Sequence, residues 1–147
     1  MTVVERHVGT PPRTWRLDAQ RIYQAHERAY RRAGAYDLAA IRTTFQSSPR
    51  ETAELFGVTR QAIEQWSDNG VPATRVADVA RIADVARRLR RTLKRERIPA
   101  IVRCPNPGLD GDTVLHALRA PEGTDRVMAA LDRLLSYVPA GDLVGEL

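Results

Sequence analysis

Pro49-Arg-Glu-Thr-Ala-Glu-Leu-Phe-Gly-Val-Thr-Arg-Gln-Ala-Ile-Glu-Gln-Trp66 has the residue pattern of two short helices joined by a tight turn. Ser47 or Ser48 can cap the first helix, and Pro49 suits its first position, where a missing N–H costs nothing. Gly57 stands where that helix must end, because glycine adopts the left-handed backbone conformation without steric cost. The stretch therefore predicts a helix-turn-helix.

The other residues of this stretch separate into an inner and an outer set. Val58 fills the turn, and Thr59 can cap the second helix. The residues predicted to face inward are Ala53, Leu55, Phe56, Ile63 and Trp66. The outer face of the second helix is left with Thr59, Arg60, Gln61, Glu64 and Gln65. In a helix-turn-helix these positions meet base edges in the major groove, so base contact is predicted for these five side chains.

A two-helix corner inside an unrelated helical domain would share the glycine and the apolar positions. We favour DNA binding because several positions agree at once and the outer set is rich in Arg, Gln and Thr. The segment resembles the DNA-binding half of Xre-type regulators. Phosphate contacts are expected from Ser48, Arg50, Arg75, Arg88 and Arg91.

Charge is distributed unevenly along the 147 residues. Residues 1–103 hold 20 Lys and Arg against 11 Asp and Glu, whereas residues 104–147 hold 3 against 7. A basic front and an acidic back indicate two different partners, with nucleic acid as the partner of the front.

Composition argues against several classes of protein. Cys104 is the single cysteine, and His7, His26 and His116 lie far apart, so neither a disulfide nor a metal site is expected. Apolar runs are too short for a membrane span or a signal peptide, which makes a cytoplasmic protein the default expectation. Without a glycine-rich phosphate loop or a nucleophile beside a base, no catalytic residue, cofactor or enzymatic activity is expected. Cys104 is interpreted as a small packed thiol, and His116 as a partly exposed helix residue.

The remaining segments predict an all-α chain. Residues 1–14 are expected to form a flexible arm, because Pro11 and Pro12 do not fit a helix interior. Helical spacing of apolar residues predicts a helix over 17–33, closed by Gly34, and a second over 36–46.

Two basic clusters have a structural interpretation beside a functional one. Arg31 and Arg32 would suit the dipole at the end of the 17–33 helix. A long helix is predicted from a cap at Thr74 to Arg97. Its basic run 87–97 would either contact a nucleic-acid backbone or form a solvated face.

After residue 97 the sequence becomes rich in Pro and Gly. Short helices are predicted at 113–119 and 124–137. The tail 141–147 is expected to be frayed or to act as a docking strip.

This back third resembles the toxin-binding region of the Xre/MbcA/ParS antitoxin family. The resemblance rests on Pro105-Asn106-Pro107, Leu109, Gly111, Leu115, Leu118, Gly123, Val127, Leu131 and Tyr137, at a similar spacing behind a helix-turn-helix. The resemblance covers about residues 37–140. Together with the composition, it predicts three segments: the arm 1–14, a helix-turn-helix domain at 15–97 and a small helical toxin-binding domain at 98–147.

The resemblance also implies a function. Members are antitoxins that block the active site of a RES-domain, NAD-consuming toxin and repress their own operon. Toxin contacts would come from Pro105, Asn106, Pro107, Leu109, Gly111, Leu115 and Tyr137. A homodimer reading a palindromic operator in double-stranded DNA is expected, with no membrane partner.

The alternative is a stand-alone helix-turn-helix repressor, of phage or mobile-element origin, without a toxin partner. Residues 1–36 exceed a minimal family member. Ile101 and Val114 also replace the aromatic residue and the proline that family members often carry. Both departures favour this alternative.

Overall fold

The computed structural model describes residues 13–145, with side chains from residue 18 onward, and this part of the chain is all-α as predicted. Its α-helices are α1 Arg13–Phe45, α2 Pro49–Phe56, α3 Arg60–Asn69, α4 Ala73–Thr92, α5 Ile98–Ile101, α6 Val114–Ala117, α7 Gly123–Ala129 and α8 Leu131–Leu135. Short 3₁₀ helices lie at Arg95–Arg97, Pro107–Leu109 and Ala140–Asp142. The predicted arm 1–14 lies outside the described residues except for Arg13 and Thr14, which already belong to α1. No helix within 13–145 has the length and apolarity needed to cross a membrane.

The start of α2 and the turn between α2 and α3 have the caps that the sequence predicts. Ser48 Oγ accepts from the Glu51 amide at 3.1 Å, and the Glu51 carboxylate accepts from the Ser48 amide, which forms a capping box. Gly57 ends α2 in the left-handed conformation with φ 64°. Thr59 caps α3 by accepting from the Ala62 amide at 3.1 Å.

The prediction that Gly34 ends a helix is wrong, because α1 is a single helix of 33 residues. A Cβ on Gly34 would lie 2.8 Å from Cβ of Val71, in the segment that precedes α4. Glycine is therefore required for the close approach of α1 to this segment. Asp37, at the start of the second predicted helix, lies inside α1 and forms an ion pair with Arg87 of α4.

The long helix predicted from Thr74 to Arg97 is also corrected at both ends. Pro72 takes the N-cap position, and α4 ends at Thr92. Leu93 is then extended and forms an isolated β-bridge with Leu143. The Lys94 amide donates to the Asp142 carbonyl at 2.7 Å. The described part of the tail is therefore docked against the segment that follows α4.

The back helices are shorter than predicted. Thr113 caps α6, which ends at Ala117 instead of residue 119. The helix predicted over 124–137 is divided at Ala130 into α7 and α8, since Ala130 leaves the helical region with φ −92° and ψ 2°.

One buried cluster runs through both the front and the back of the chain. Helix α1 packs mainly on α4, while α5 packs on α1 and α7 packs on α4. The largest fully buried side chains come from both segments: Phe45, Leu38, Ile41, Ile63, Leu89, Leu93, Ile98, Leu109 and Leu134. The division into two domains at residue 97 stays a prediction, but buried residues from both sides of it belong to one cluster.

Candidate functional site

The outer face of α3 presents all five side chains predicted for base contact. Thr59, Arg60, Gln61, Glu64 and Gln65 are all exposed. The only ion pair among them joins Arg60 and Glu64 at 3.8 Å, one helical turn apart. An exposed pair of this kind contributes about 0.3–0.5 kcal/mol, so it can open when a ligand approaches.

The opposite face of α3 is held firmly against the core. Ile63 is fully buried, and Trp66 meets Phe56 edge to face with ring centroids 6.0 Å apart. The Arg75 guanidinium lies 5.5 Å from the Trp66 ring centroid and donates to the Phe56 carbonyl at 2.6 Å. Arg75 thus clamps α2, α3 and α4 together. The phosphate contact predicted for Arg75 stays a prediction, and the Arg75 side chain is already bound to Phe56 and Trp66 within the protein.

The other predicted phosphate contacts lie in two separate places. Ser48 and Arg50 stand at the start of α2, both exposed, and Arg50 pairs with Glu54 at 3.8 Å. Arg88 and Arg91 are exposed near the end of α4. They follow Arg75 by 13 and 16 residues, which is about 20 and 24 Å along the helix axis. The structure does not bring them to the α3 end of α4.

A basic groove beside α3 was missed by the sequence analysis. It has a volume of about 550 Å³, with Arg28, Arg31 and Arg32 of α1 on one wall and Asp68 and Asn69 of α3 on the other. The sequence places the Arg31-Arg32 pair at a predicted helix end. Because α1 continues for 13 residues beyond Arg32, the helix dipole does not account for this pair.

The predicted toxin contacts are divided between several surfaces. Four of the seven, Pro105, Asn106, Pro107 and Tyr137, line one groove of about 360 Å³, together with Arg97 and Cys104. Tyr137 is 59% exposed there. Cys104 is an exposed thiol, so the prediction that it is packed is wrong.

Asn106 and Leu109 are buried, and they stabilise the loop that they belong to. Leu109 is 1% exposed and Asn106 is 8% exposed. Asn106 Oδ1 accepts from the Gly108 amide at 2.7 Å, and its Nδ2 donates to the Leu134 carbonyl at 3.3 Å. These bonds fix the Pro-rich loop on α8.

The last two predicted toxin contacts lie elsewhere. Gly111 is exposed with φ 87°, and Leu115 is half-buried in a smaller groove of about 210 Å³ beside Arg103 and His116. The seven residues predicted from the family resemblance therefore do not form one surface.

The titratable groups beside this smaller groove are joined by hydrogen bonds and ion pairs. His116 is exposed, as predicted, and its Nδ1 lies 2.8 Å from an Asp112 carboxylate oxygen, whose other oxygen accepts from Arg126 at 3.3 Å. The hydrogen bond with His116 is the main cause that lowers the pKa of Asp112 below its ordinary value. Within residues 13–145 no group of three or more His, Cys, Asp or Glu side chains could hold a metal ion.

Comparisons with protein-family models, curated proteins and solved structures gave no match to this chain.

Proposed function

We propose that this chain is a DNA-binding antitoxin that reads double-stranded DNA with α3 and neutralises a RES-type toxin with its back segment. The observation that carries the proposal is the outer face of α3. Four polar side chains of α3, and Thr59 at its N-cap, stand exposed, while Trp66 on the opposite side of the helix is held by Phe56 and Arg75. Base readout needs such a rigid support, because side chains on a mobile element would lose their register on the base edges.

The geometry of α2 and α3 fits a helix-turn-helix in which α3 enters the major groove. Arg60 can donate to guanine, and Gln61 or Gln65 can form paired hydrogen bonds with adenine. Ser48 and Arg50 at the start of α2 would then meet the phosphates beside the groove. Two copies related by a two-fold axis would place their α3 helices about 34 Å apart, so the operator would be a palindrome.

Base readout is tested by replacing Gln61 with alanine. The DNA used is the duplex that the unmodified chain selects in vitro from a random library, compared with a scrambled duplex of equal length. We expect Q61A to lose about 1–3 kcal/mol of preference at one base pair of each half-site, with little change on scrambled DNA. Q20A, which removes an exposed glutamine from α1, is the matched control. Equal losses by Q61A on both duplexes would contradict the base-readout assignment.

The toxin-binding half of the proposal is supported by the groove at Pro105, Pro107 and Tyr137. It offers a half-exposed aromatic ring beside two exposed prolines, and aromatic side chains are favoured anchors in protein interfaces. The acidic excess of residues 104–147 would complement a basic nucleotide-binding cleft and steer the encounter with it.

The toxin partner is tested by inducing the reading frame adjacent to this gene, with and without the chain, while growth and cellular NAD are followed. We expect growth arrest and NAD loss that the unmodified chain reverses. Y137A should reverse them poorly, whereas Y23A, which removes a somewhat more exposed tyrosine from α1, should act like the unmodified chain. A harmless neighbour, or full protection by Y137A, would contradict the toxin-binding assignment.

A stand-alone repressor is the second candidate, and the division of the predicted toxin contacts favours it. Leu109 is buried, and Gly111 and Leu115 lie away from the Tyr137 groove. Under this alternative the back segment serves to complete the core. Selection of a specific duplex beside a harmless neighbouring gene product would support it.

A further inference from the structure

We infer that DNA bound by α3 extends over α1, where Arg28 and Arg32 hold the phosphate backbone. This inference rests on the proposed DNA binding and adds to it a contact surface distinct from Ser48 and Arg50. The surface, here called the α1–α3 trough, consists of Arg28, Arg32, Tyr36 and Arg42 on α1 and Ser67 and Asp68 on α3.

The trough is continuous along one side of α1. The groove at Arg28 and Arg32 shares Ala35, Ala39 and Ser67 with a second groove of about 380 Å³ that reaches Arg42. From Arg28 to Arg42 the helix rises about 21 Å. A path of this length along an exposed surface suits an extended ligand better than a small molecule.

The trough is also continuous with the reading face of α3. Asp68 follows Arg60 and Glu64 at four-residue steps, so it continues their row along the helix. Asp68 lines the groove whose opposite wall carries Arg28 and Arg32. A duplex centred on the outer face of α3 therefore meets α1 at the carboxyl end of α3.

The trough arginines are available for an anion. Among the described residues, Arg28, Arg32 and Arg42 form no ion pair, whereas Arg87 and Arg103 are both paired with carboxylates. Arg42 donates to Ser67 Oγ at 3.4 Å through an exposed guanidinium nitrogen. Tyr36 is 70% exposed and adds a hydroxyl donor.

The chemistry of these groups matches phosphate diesters more closely than a protein partner. Arginine side chains and hydroxyl groups supply most protein contacts to the DNA backbone. Such contacts carry no sequence information, but each releases counterions and steepens the dependence of binding on salt. A single carboxylate, Asp68, opposes three arginines on the lining of the first groove.

The test measures how the affinity of R28Q/R32Q for the selected and scrambled duplexes varies with salt. We expect the plot of log K against log salt to become shallower by about 2, since each lost phosphate contact removes about 0.9 from the slope. The loss should be equal on both duplexes, and the base preference should stay unchanged. D68N should bind both duplexes more tightly than the unmodified chain.

Two control variants separate phosphate contact from other effects. R28K/R32K keeps both charges and should retain the slope, because lysine also binds phosphate as a point charge. R133Q removes an exposed arginine from α8 and should change nothing. Circular dichroism of each variant checks that the helix content of the chain is unchanged.

The outcomes distinguish this inference from the proposed function. If Q61A loses base preference while R28Q/R32Q keeps the full salt slope, the trough is not a phosphate surface and the reading by α3 stands. If the unmodified chain selects no duplex, both the proposed DNA binding by α3 and the phosphate contacts of the trough are contradicted.

Discussion

Two glycines of this protein allow two elements to pack closely. From the sequence alone, the same glycines indicate only the end of a helix. Gly123 begins α7, and a Cβ there would lie 1.8 Å from the Ala117 carbonyl oxygen of α6. Gly34 has the corresponding function between α1 and Val71. In both cases the missing side chain sets the distance between two elements.

We therefore expect G123A to destabilise the protein strongly. The added methyl group meets a backbone oxygen that cannot rotate away, so the free energy of unfolding should fall by about 3 kcal/mol or more. Urea denaturation followed by circular dichroism measures it. G141A is the matched control, because a Cβ on Gly141 has no neighbour within 4 Å. Equal midpoints for the two variants would show that α6 and α7 are not packed as described.

At the scale of elements, Arg103 ties α5 to the ends of α1 and α2. Its guanidinium donates to the Phe45 carbonyl at 2.8 Å, the Pro99 carbonyl at 2.7 Å and the Glu51 carboxylate at 3.1 and 3.2 Å. Glu51 at the same time completes the capping box of α2. One side chain thus supports the helix that α3 packs against.

Replacing Arg103 with glutamine should lower the free energy of unfolding by about 2 kcal/mol, since hydrogen bonds to its charged group are lost. R133Q, an exposed change in the same segment, should lie within about 0.5 kcal/mol of the unmodified chain. The measurement is urea denaturation at pH 7. A loss for R103Q no larger than that for R133Q would contradict the link between the elements.

The same ion pair predicts a pH dependence. The hydrogen bond from Arg103 lowers the pKa of Glu51 below its ordinary value of 4.5. The ionised carboxylate therefore contributes stability above pH 4.5, and that contribution is lost as the pH falls through the lowered pKa. We expect the stability difference between the unmodified chain and E51Q to shrink from pH 7 to pH 3. A difference that is constant over this range would rule out a contribution from Glu51 ionisation.

In the whole molecule, the basic front and the acidic back contribute side chains to the same hydrophobic core. Phe45 of α1, Leu89 of α4, Ile98 of α5 and Leu134 of α8 belong to one buried cluster. Removal of residues 98–147 would expose the apolar surface of α1 and α4 that α5 and α7 cover.

Front and back should therefore unfold together. In a W15F background, Trp66 fluorescence reports on the front, and a dye on the exposed thiol of Cys104 reports on the back. We expect the same urea midpoint from both probes, as a single cooperative unit requires. Two separate midpoints would instead support independent domains divided near residue 97.

The amino-acid sequence by itself determined the features that depend on neighbours within about four residues. The caps at Ser48 and Thr59, the left-handed Gly57 and the exposed face of α3 all follow from local hydrogen bonds and helical period. For this reason the α2–α3 corner and its exposed reading face were predictable, although DNA binding itself stays a proposal.

Only the tertiary structure decided what depends on residues far apart in the chain. Gly34 lies inside a helix at the point where Val71 packs closely against it, and Leu93, just after the end of α4, pairs with Leu143. Arg28 and Asp68 meet across one groove although 40 residues separate them. Such contacts arise from packing between elements, which local propensity and periodicity do not encode.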